Sequence, residues 1–265
     1  LADMSVKENK SLEKISNSSR IIGIPKLTDA NKAGVEPEKC TLFITERDSA
    51  NGMANNRIAT VGRNYFGSFP IRGKILNVRD ASVDTIVKNE EIQNIIKILN
   101  LQMNKSYTKN NKGQFVCENN SVLRYSTLAV MADQDTDGSH IKGLLLNFIS
   151  FFWPSLLEQG FVKVFVTPIV KLSKIPKETL AIAKSSKSGL TITKNNEIMF
   201  FSLPDYKRFE ESVSNKNYKV KYYKGLGTSN KDETNEYFSS LDRHIIPFEN
   251  ATPEQFCYID LAFRK

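Results

Sequence analysis

The chain has 265 residues, 40% of them apolar and 25% charged, with a formal net charge of +8. These proportions exclude a disordered tail or a disulfide scaffold and leave room for one large or two modest cores. The excess of Lys and Arg favours a polyanionic partner, and the three widely spaced cysteines, Cys40, Cys117 and Cys257, read as free thiols of a reducing compartment. The first 20 residues are polar, and the longest apolar stretch, Leu144 to Leu157, is broken by Asn147, Ser150 and Pro154. Neither a signal peptide nor a membrane span is expected.

Residues 1–39 read as a polar arm leading in from a preceding domain. Thr41-Leu-Phe-Ile-Thr45 has the β-branched and aromatic content of a buried strand. Glu46, Arg47, Asp48 and Ser49 follow at its carboxyl end, with a helix expected from Ala50 to Arg57 and another strand over Ile58–Val61. Ile71 to Arg79 is strand-like and basic, carrying Arg72, Lys74 and Arg79 beside Gly73, where a backbone can approach closely. The combination suits phosphate contacts or, more simply, a basic surface strand. The spacing of Ile86, Ile92, Ile95, Ile96 and Leu99 predicts one amphipathic helix over Ser82–Leu101. Residues 102–122 read as a loop or small hairpin.

Leu128 to Ala132 is a short apolar run typical of a buried strand, and Asp133, Asp135 and Asp137 follow at alternate positions. Gly138 and Ser139 break the run, and Ile141 to Trp153 has helical length. Strand, acidic turn and helix place hard oxygen ligands at the carboxyl end of a sheet. Clustered carboxylates repel one another unless a cation lies between them. With no Cys or paired His nearby, that cation is Mg2+ or Ca2+. An EF-hand is excluded, because Leu144 stands where the closing Glu is required and a strand precedes the loop. A purely structural acidic turn is the plainer alternative. One sheet holding both strands would bring Glu46 and Asp48 beside Asp133 and Asp135.

Farther along, Phe161–Val166 and Pro168–Leu172 are strand-like, residues 184–189 form a low-complexity loop, and Thr191–Phe201 suits a hairpin through Lys194-Asn-Asn196. A strand from Lys219 ends in Lys224-Gly-Leu-Gly-Thr228, and a helix follows with a Ser229/Asp232 capping pattern. A lysine, two glycines and a helix amino end can cradle a phosphate, although the lysine precedes the glycines and so departs from a Walker loop. Residues 244–265 read as a linker into a further element. His140 is expected to orient the acidic turn or a metal's water shell, and His244 to be structural. Phe148, Phe151, Phe152 and Trp153 read as core.

Four stretches in this order, Glu46-Arg-Asp-Ser-Ala50, Pro70-Ile-Arg-Gly-Lys-Ile-Leu-Asn-Val78, Asp133-Gln-Asp-Thr-Asp-Gly-Ser-His-Ile-Lys-Gly143 and Tyr222-Tyr-Lys-Gly-Leu-Gly-Thr-Ser229, resemble the eukaryotic-type branch of the type IIA DNA topoisomerases. Ile24–Ala30 and Leu261-Ala-Phe263 fit as well, so the resemblance spans about residues 20–265. It implies an α/β fold: a Rossmann-like TOPRIM domain with a parallel sheet over 40–157, behind the arm at 1–39. A smaller α+β extension over 158–265 carries the Lys224–Thr228 phosphate-binding loop and leads into a winged-helix domain. The implied enzyme is an ATP-hydrolysing DNA topoisomerase, which cuts both strands of one duplex, passes another through and reseals the break.

By the same resemblance the catalytic set is Glu46, Asp133, Asp135 and Asp137. Two Mg2+ ions are held, one between Glu46 and Asp133 and one between Asp133 and Asp135. Arg72, Lys74, Asn77, Lys224 and Lys265 fall to DNA contacts. Arg47 replaces the family's glycine and is expected to reach the DNA backbone or fill the space where inhibitors intercalate. Asn51 stands where relatives often carry lysine. ATP binding and the nucleophilic tyrosine belong to other parts of the polypeptide, so this segment alone is expected to bind metal and DNA without cleaving. Double-stranded DNA and a second copy of the polypeptide are the expected partners, with no membrane. The expected location is intracellular: the nucleus if the source is cellular, the host's cytoplasmic replication site or the virion if it is a large DNA virus, which the divergent acidic motif would suit. The rivals are a TOPRIM nuclease or primase acting directly on phosphodiesters, and a non-catalytic metal-stabilised DNA-binding module.

Overall fold

Every residue of Thr41–Glu46 (β1) is buried, so this strand is covered on both faces. The computed structural model describes residues 21, 23–186, 189–248 and 252–264. Leu42 and Ile44 enter the larger core, while Phe43 points the other way, against Phe165 and Phe238. β1 runs directly into Arg47–Val61 (α1), and the strand read at Ile58–Val61 is the last turn of that helix. Ala50, Ala54 and Ile58 are buried at intervals of one helical turn, so Ile58 closes a helical stripe instead of starting a strand.

The chain returns through Phe66–Ile71 (β2), parallel to β1 at the sheet edge, where Pro70 is tolerated. The basic segment after Ile71 is therefore a loop beyond the strand. Val83–Lys88 (α2) and Glu90–Leu99 (α3) replace the single helix expected there. Asn89 divides them, its side chain accepting from the Ile92 amide at 3.0 Å as an N-cap. A hairpin of Tyr107–Lys109 (β3) and Phe115–Cys117 (β4) precedes Thr127–Met131 (β5), which pairs with β1 in parallel on the side away from β2. Thr136–Phe152 (α4) and Pro154–Glu158 (α5) lead to Val162–Phe165 (β6), parallel to β5.

The connections leave β1 in one direction and β5 in the other, so the carboxyl ends of these two central strands border the switch point of the sheet. Val170–Ser173 (β7), Lys177–Ser185 (α6), Leu190–Ile192 (β8), Ile198–Phe200 (β9), Leu203–Ser212 (α7) and Lys219–Tyr222 (β10) form a second, antiparallel layer in the order β10-β7-β9-β8. It has its own core, centred on Leu172, Phe200 and Phe209. Residues 187–188, in the loop read as low in complexity, lie outside the described residues.

A 3-10 turn, Leu226–Thr228, then joins β10 to Lys231–Ser239 (α8), which starts one residue later than the Ser229/Asp232 pattern implies. Asn230 and Glu233 form the capping box, because Ser229 ends the 3-10 turn. Leu241–His244 (α9), Ile245–Pro247 (β11) and Pro253–Phe263 (α10) occupy the segment read as a linker. β11 pairs antiparallel with β6, completing the order β11-β6-β5-β1-β2. The fold is the expected α/β type. Helix α10 packs on α4, where a side chain at Gly143 would stand 2.8 Å from the Phe263 ring. Among the described residues no helix is long and apolar enough to cross a membrane.

Ahead of β1, Thr28 and Ser68 exchange backbone hydrogen bonds of 2.9 and 2.8 Å, which covers the open edge of β2. The fully buried Tyr125 anchors this arm: its hydroxyl donates to the Asp29 carboxylate and accepts from the Ala30 amide at 2.9 Å. Replacing Tyr125→Phe strands the Ala30 amide and leaves Asp29 with Arg124 as its side-chain partner, and is expected to lower stability by about 1–3 kcal/mol in urea unfolding.

Candidate functional site

Glu46 is the last residue of β1, and Asp133 follows β5 by two residues, so the parallel ladder delivers both to the switch point. Glu46 is only 8% exposed, and its Oε2 accepts from the Asp133 amide at 3.3 Å. The Asp133 carboxylate faces the loop after β10, where its Oδ1 accepts from the Leu226 amide at 2.8 Å. Gly225 lies against the same carboxylate: a Cβ there would sit 2.7 Å from Oδ2. The amide expected to face a phosphate is thus donated to an aspartate.

Asp135 caps α4, its Oδ1 accepting from the Gly138 amide at 2.7 Å, which places negative charge at a helix amino end. Asp137, in the first turn of α4, pairs with Lys74 at 2.9 Å. The turn closes tightly because Gly138 has no side chain; a Cβ there would fall on the Asp133 carbonyl oxygen.

Sequence reasoning missed Lys142. Its Nζ lies 3.5 Å from the Asp133 carbonyl and 3.4 Å from the Gln134 side-chain oxygen. Burial pushes this ammonium below the usual lysine range, opposed by the charges of Asp135, Glu46 and Asp133. One signal was available: Lys142 is the single charged residue between Ile141 and Trp153. Here it acts as a resident cation among acids.

Among the described residues no three His, Cys, Asp or Glu side chains converge closely enough to hold a metal by themselves. That does not conflict with Mg2+, which is commonly bound through one or two carboxylates, with water and phosphate oxygens completing its shell. The donors at the switch point, Glu46 and Asp133 with Asp135 alongside, are all hard oxygens and fit that ion.

Around the acids lies a basic rim. Arg72 is exposed; its Nη2 is 3.6 Å from Glu90, and its amide donates to Glu91 at 2.5 Å. Lys224 is also exposed, at the start of the loop against Asp133. Asn77 is engaged within the protein: Nδ2 donates to the Phe263 carbonyl at 2.8 Å and Oδ1 accepts from Asn147 at 2.8 Å. Arg79 also spans this junction, donating to Asn147 at 2.6 Å and pairing with Asp260. Arg47 opens α1, but its side chain lies outside the described residues, as do the Asp48 side chain and the whole of Lys265. His140 is exposed and stacks 6.4 Å from the Phe263 ring. His244 is buried with Nδ1 2.8 Å from the Val166 carbonyl; burial pushes its imidazole below the ordinary range.

A mainly parallel sheet whose switch point is bounded by a Glu and a following acidic turn is the arrangement of a Toprim domain. The Toprim domain family matches residues 41–169, and the family described as the C-terminal associated domain of TOPRIM matches residues 165–265. Over nearly its whole length the chain is similar to the TOPRIM-containing segment of the type IIA DNA topoisomerases of eukaryotic type. It is 47% identical over 249 residues to human DNA topoisomerase 2-beta and 49% identical over 250 residues to DNA topoisomerase 2 of Saccharomyces cerevisiae, 93% of this chain in each case. It spans 14% and 16% of those two relatives. A crystal structure of the Plasmodium falciparum topoisomerase II DNA-binding, cleavage and re-ligation domain superposes with a TM-score of 0.76 at 43% identity. That match covers 93% of this chain and 30% of the other.

Two outcomes test the turn. Gly138→Ala must displace the Asp133 carbonyl and is expected to cost more than about 2 kcal/mol in thermal unfolding, as a backbone clash in a packed turn does. Lys142→Met removes the resident cation. Without Mg2+ it should lower Tm by roughly 2–4 °C, equivalent to about 1 kcal/mol of unrelieved repulsion, and added Mg2+ should recover the loss.

Proposed function

We propose that this segment supplies the Mg2+-holding carboxylates and part of the DNA-contacting surface of an ATP-dependent type II DNA topoisomerase, which opens and reseals a double-strand break so that a second duplex can pass. The observation that carries the reading is the contact of Glu46 with the Asp133 amide at the sheet's switch point, with Lys74 paired to Asp137 and Lys224 opening the loop that meets Asp133. The division follows the sequence reading: an arm over 1–39, a TOPRIM unit over 40–157 and an α+β extension over 158–265.

Mg2+ dependence is general among Toprim domains and type II topoisomerases. Glu46 and Asp133 would hold one ion and Asp133 and Asp135 a second, with Asp137, paired to Lys74, supporting them. When bound, Mg2+ supplies charge stabilisation to the non-bridging phosphate oxygens and to the departing 3′ oxygen. Glu46, nearly buried, fixes the inner wall of the site. The Leu226 amide orients Asp133, and the α4 amino end orients Asp135. Lys142 balances the acids before a cation arrives. Arg72, Lys74 and Lys224 hold the DNA backbone against a cluster that would otherwise repel it. Arg47 and Lys265 extend that contact, and Asn77 joins it by exchanging one of its protein partners. Outside this segment the polypeptide provides ATP hydrolysis, the nucleophilic tyrosine and dimerisation, and the whole acts on double-stranded DNA in the nucleus. A nuclease or primase gives no reason for the basic loop at 72–74 or for the associated C-terminal domain.

Supercoil relaxation by the full-length polypeptide with ATP and Mg2+ tests the reading. Asp133→Ala should reduce the rate by roughly a hundredfold or more, about 3 kcal/mol of transition-state stabilisation, while DNA affinity without Mg2+ stays within a few-fold. Full activity in that variant would overturn it.

A further inference from the structure

Glu233, in the first turn of α8, is only 5% exposed, yet it carries more contacts than a helix cap requires. Its carboxylate accepts from the Asn230 amide at 2.9 Å, which completes the capping box. It also accepts from Lys221 Nζ at 2.9 and 2.8 Å and from the Tyr223 hydroxyl at 2.6 Å. Lys171, on β7, approaches it at 3.4 Å and bridges onward to Glu197 at 2.7 Å. Burial works against the charged form, but the hydrogen bonds from Lys221, Tyr223 and Asn230 outweigh it and hold the carboxyl down at about 2.

Lys221 and Tyr223 lie immediately before the Lys224–Thr228 loop, and Asn230 lies immediately after it. One buried carboxylate therefore ties down both ends of the loop, whose middle supplies the Leu226 amide and the Gly225 backbone that touch Asp133. We propose that Glu233 is a positioning residue for the acidic site: it fixes the loop that in turn orients the Asp133 carboxylate. The inference rests on the reading of Glu46 and Asp133 as Mg2+ holders. Partners that orient ligating carboxylates typically change metal affinity 10–100-fold when lost.

The test uses Glu233→Gln in the full-length polypeptide, with Asp133→Ala as reference. In Mg2+-free protein, amide hydrogen exchange should show lost protection over residues 224–228 with β1 and β5 unchanged. The Mg2+ concentration giving half-maximal DNA cleavage should rise about tenfold or more. A role confined to folding would move neither reading in the folded protein. If both stay at wild-type values while Asp133→Ala loses its Mg2+ response, the inference alone is overturned. If Asp133→Ala keeps the response, the inference and the underlying reading are overturned together. Should Glu233→Gln not fold, Lys221→Gln weakens the same clamp from a half-exposed position and must shift both readings the same way; unchanged values overturn the proposal.

Discussion

The parallel pairing of β1 with β5 is the constraint on which this molecule depends. Thr45 is level with Met131 in that ladder, so Glu46, one residue on, and Asp133, two residues past its strand, meet although 87 positions separate them. A one-residue slip would swing Phe43 out of its aromatic contacts with Phe165 and Phe238 and push Leu42 and Ile44 to the wrong side. The register is therefore held by apolar packing on two faces, and the acidic pair inherits its precision from that packing. Hydrophobic burial does the positioning, and the polar chemistry is carried on its edge.

Gathering acids at one spot costs free energy, and the structure offsets it locally with a different device for each residue. Asp135 lies on the amino end of α4, Asp137 faces Lys74, Asp133 receives the Leu226 amide, and Lys142 lies within the field of three carboxylates. Backbone amides and a half-buried amine are modest donors compared with a divalent ion. They lessen the repulsion and still leave hard oxygen donors for such an ion. The chain as a whole carries +8, opposite in sign to the acidic turn at its centre.

Much of this was legible in the residues. β1 and β5 announce themselves by short branched and aromatic runs, and the alternating aspartates mark a strand end because the residues before them are apolar and those after them are helical. Contacts made across long sequence distances were not legible. Ile58–Val61 has strand composition, yet Ala50 and Ala54 enlist Ile58 in a helical stripe, a decision made by packing and not by local propensity. Asn89 divides a periodic helix by capping the next one. Lys142 and Glu233 carry no motif of their own; one matters because of what α4 faces, the other because β7 and β10 bring lysines to it. For Asn77, the family resemblance implies a DNA contact, and nothing in the sequence signals that its amide in the folded chain is joined to Phe263 and Asn147.

The bare backbone at Gly143 sets how closely α4 and α10 cross. Phe263 lies there against main chain, so any side chain at position 143 would either turn the phenyl ring aside or wedge the two helices apart. Helix α4 also carries Asp135 at its amino end, so a glycine on one turn and an acidic cap two turns earlier belong to the same element.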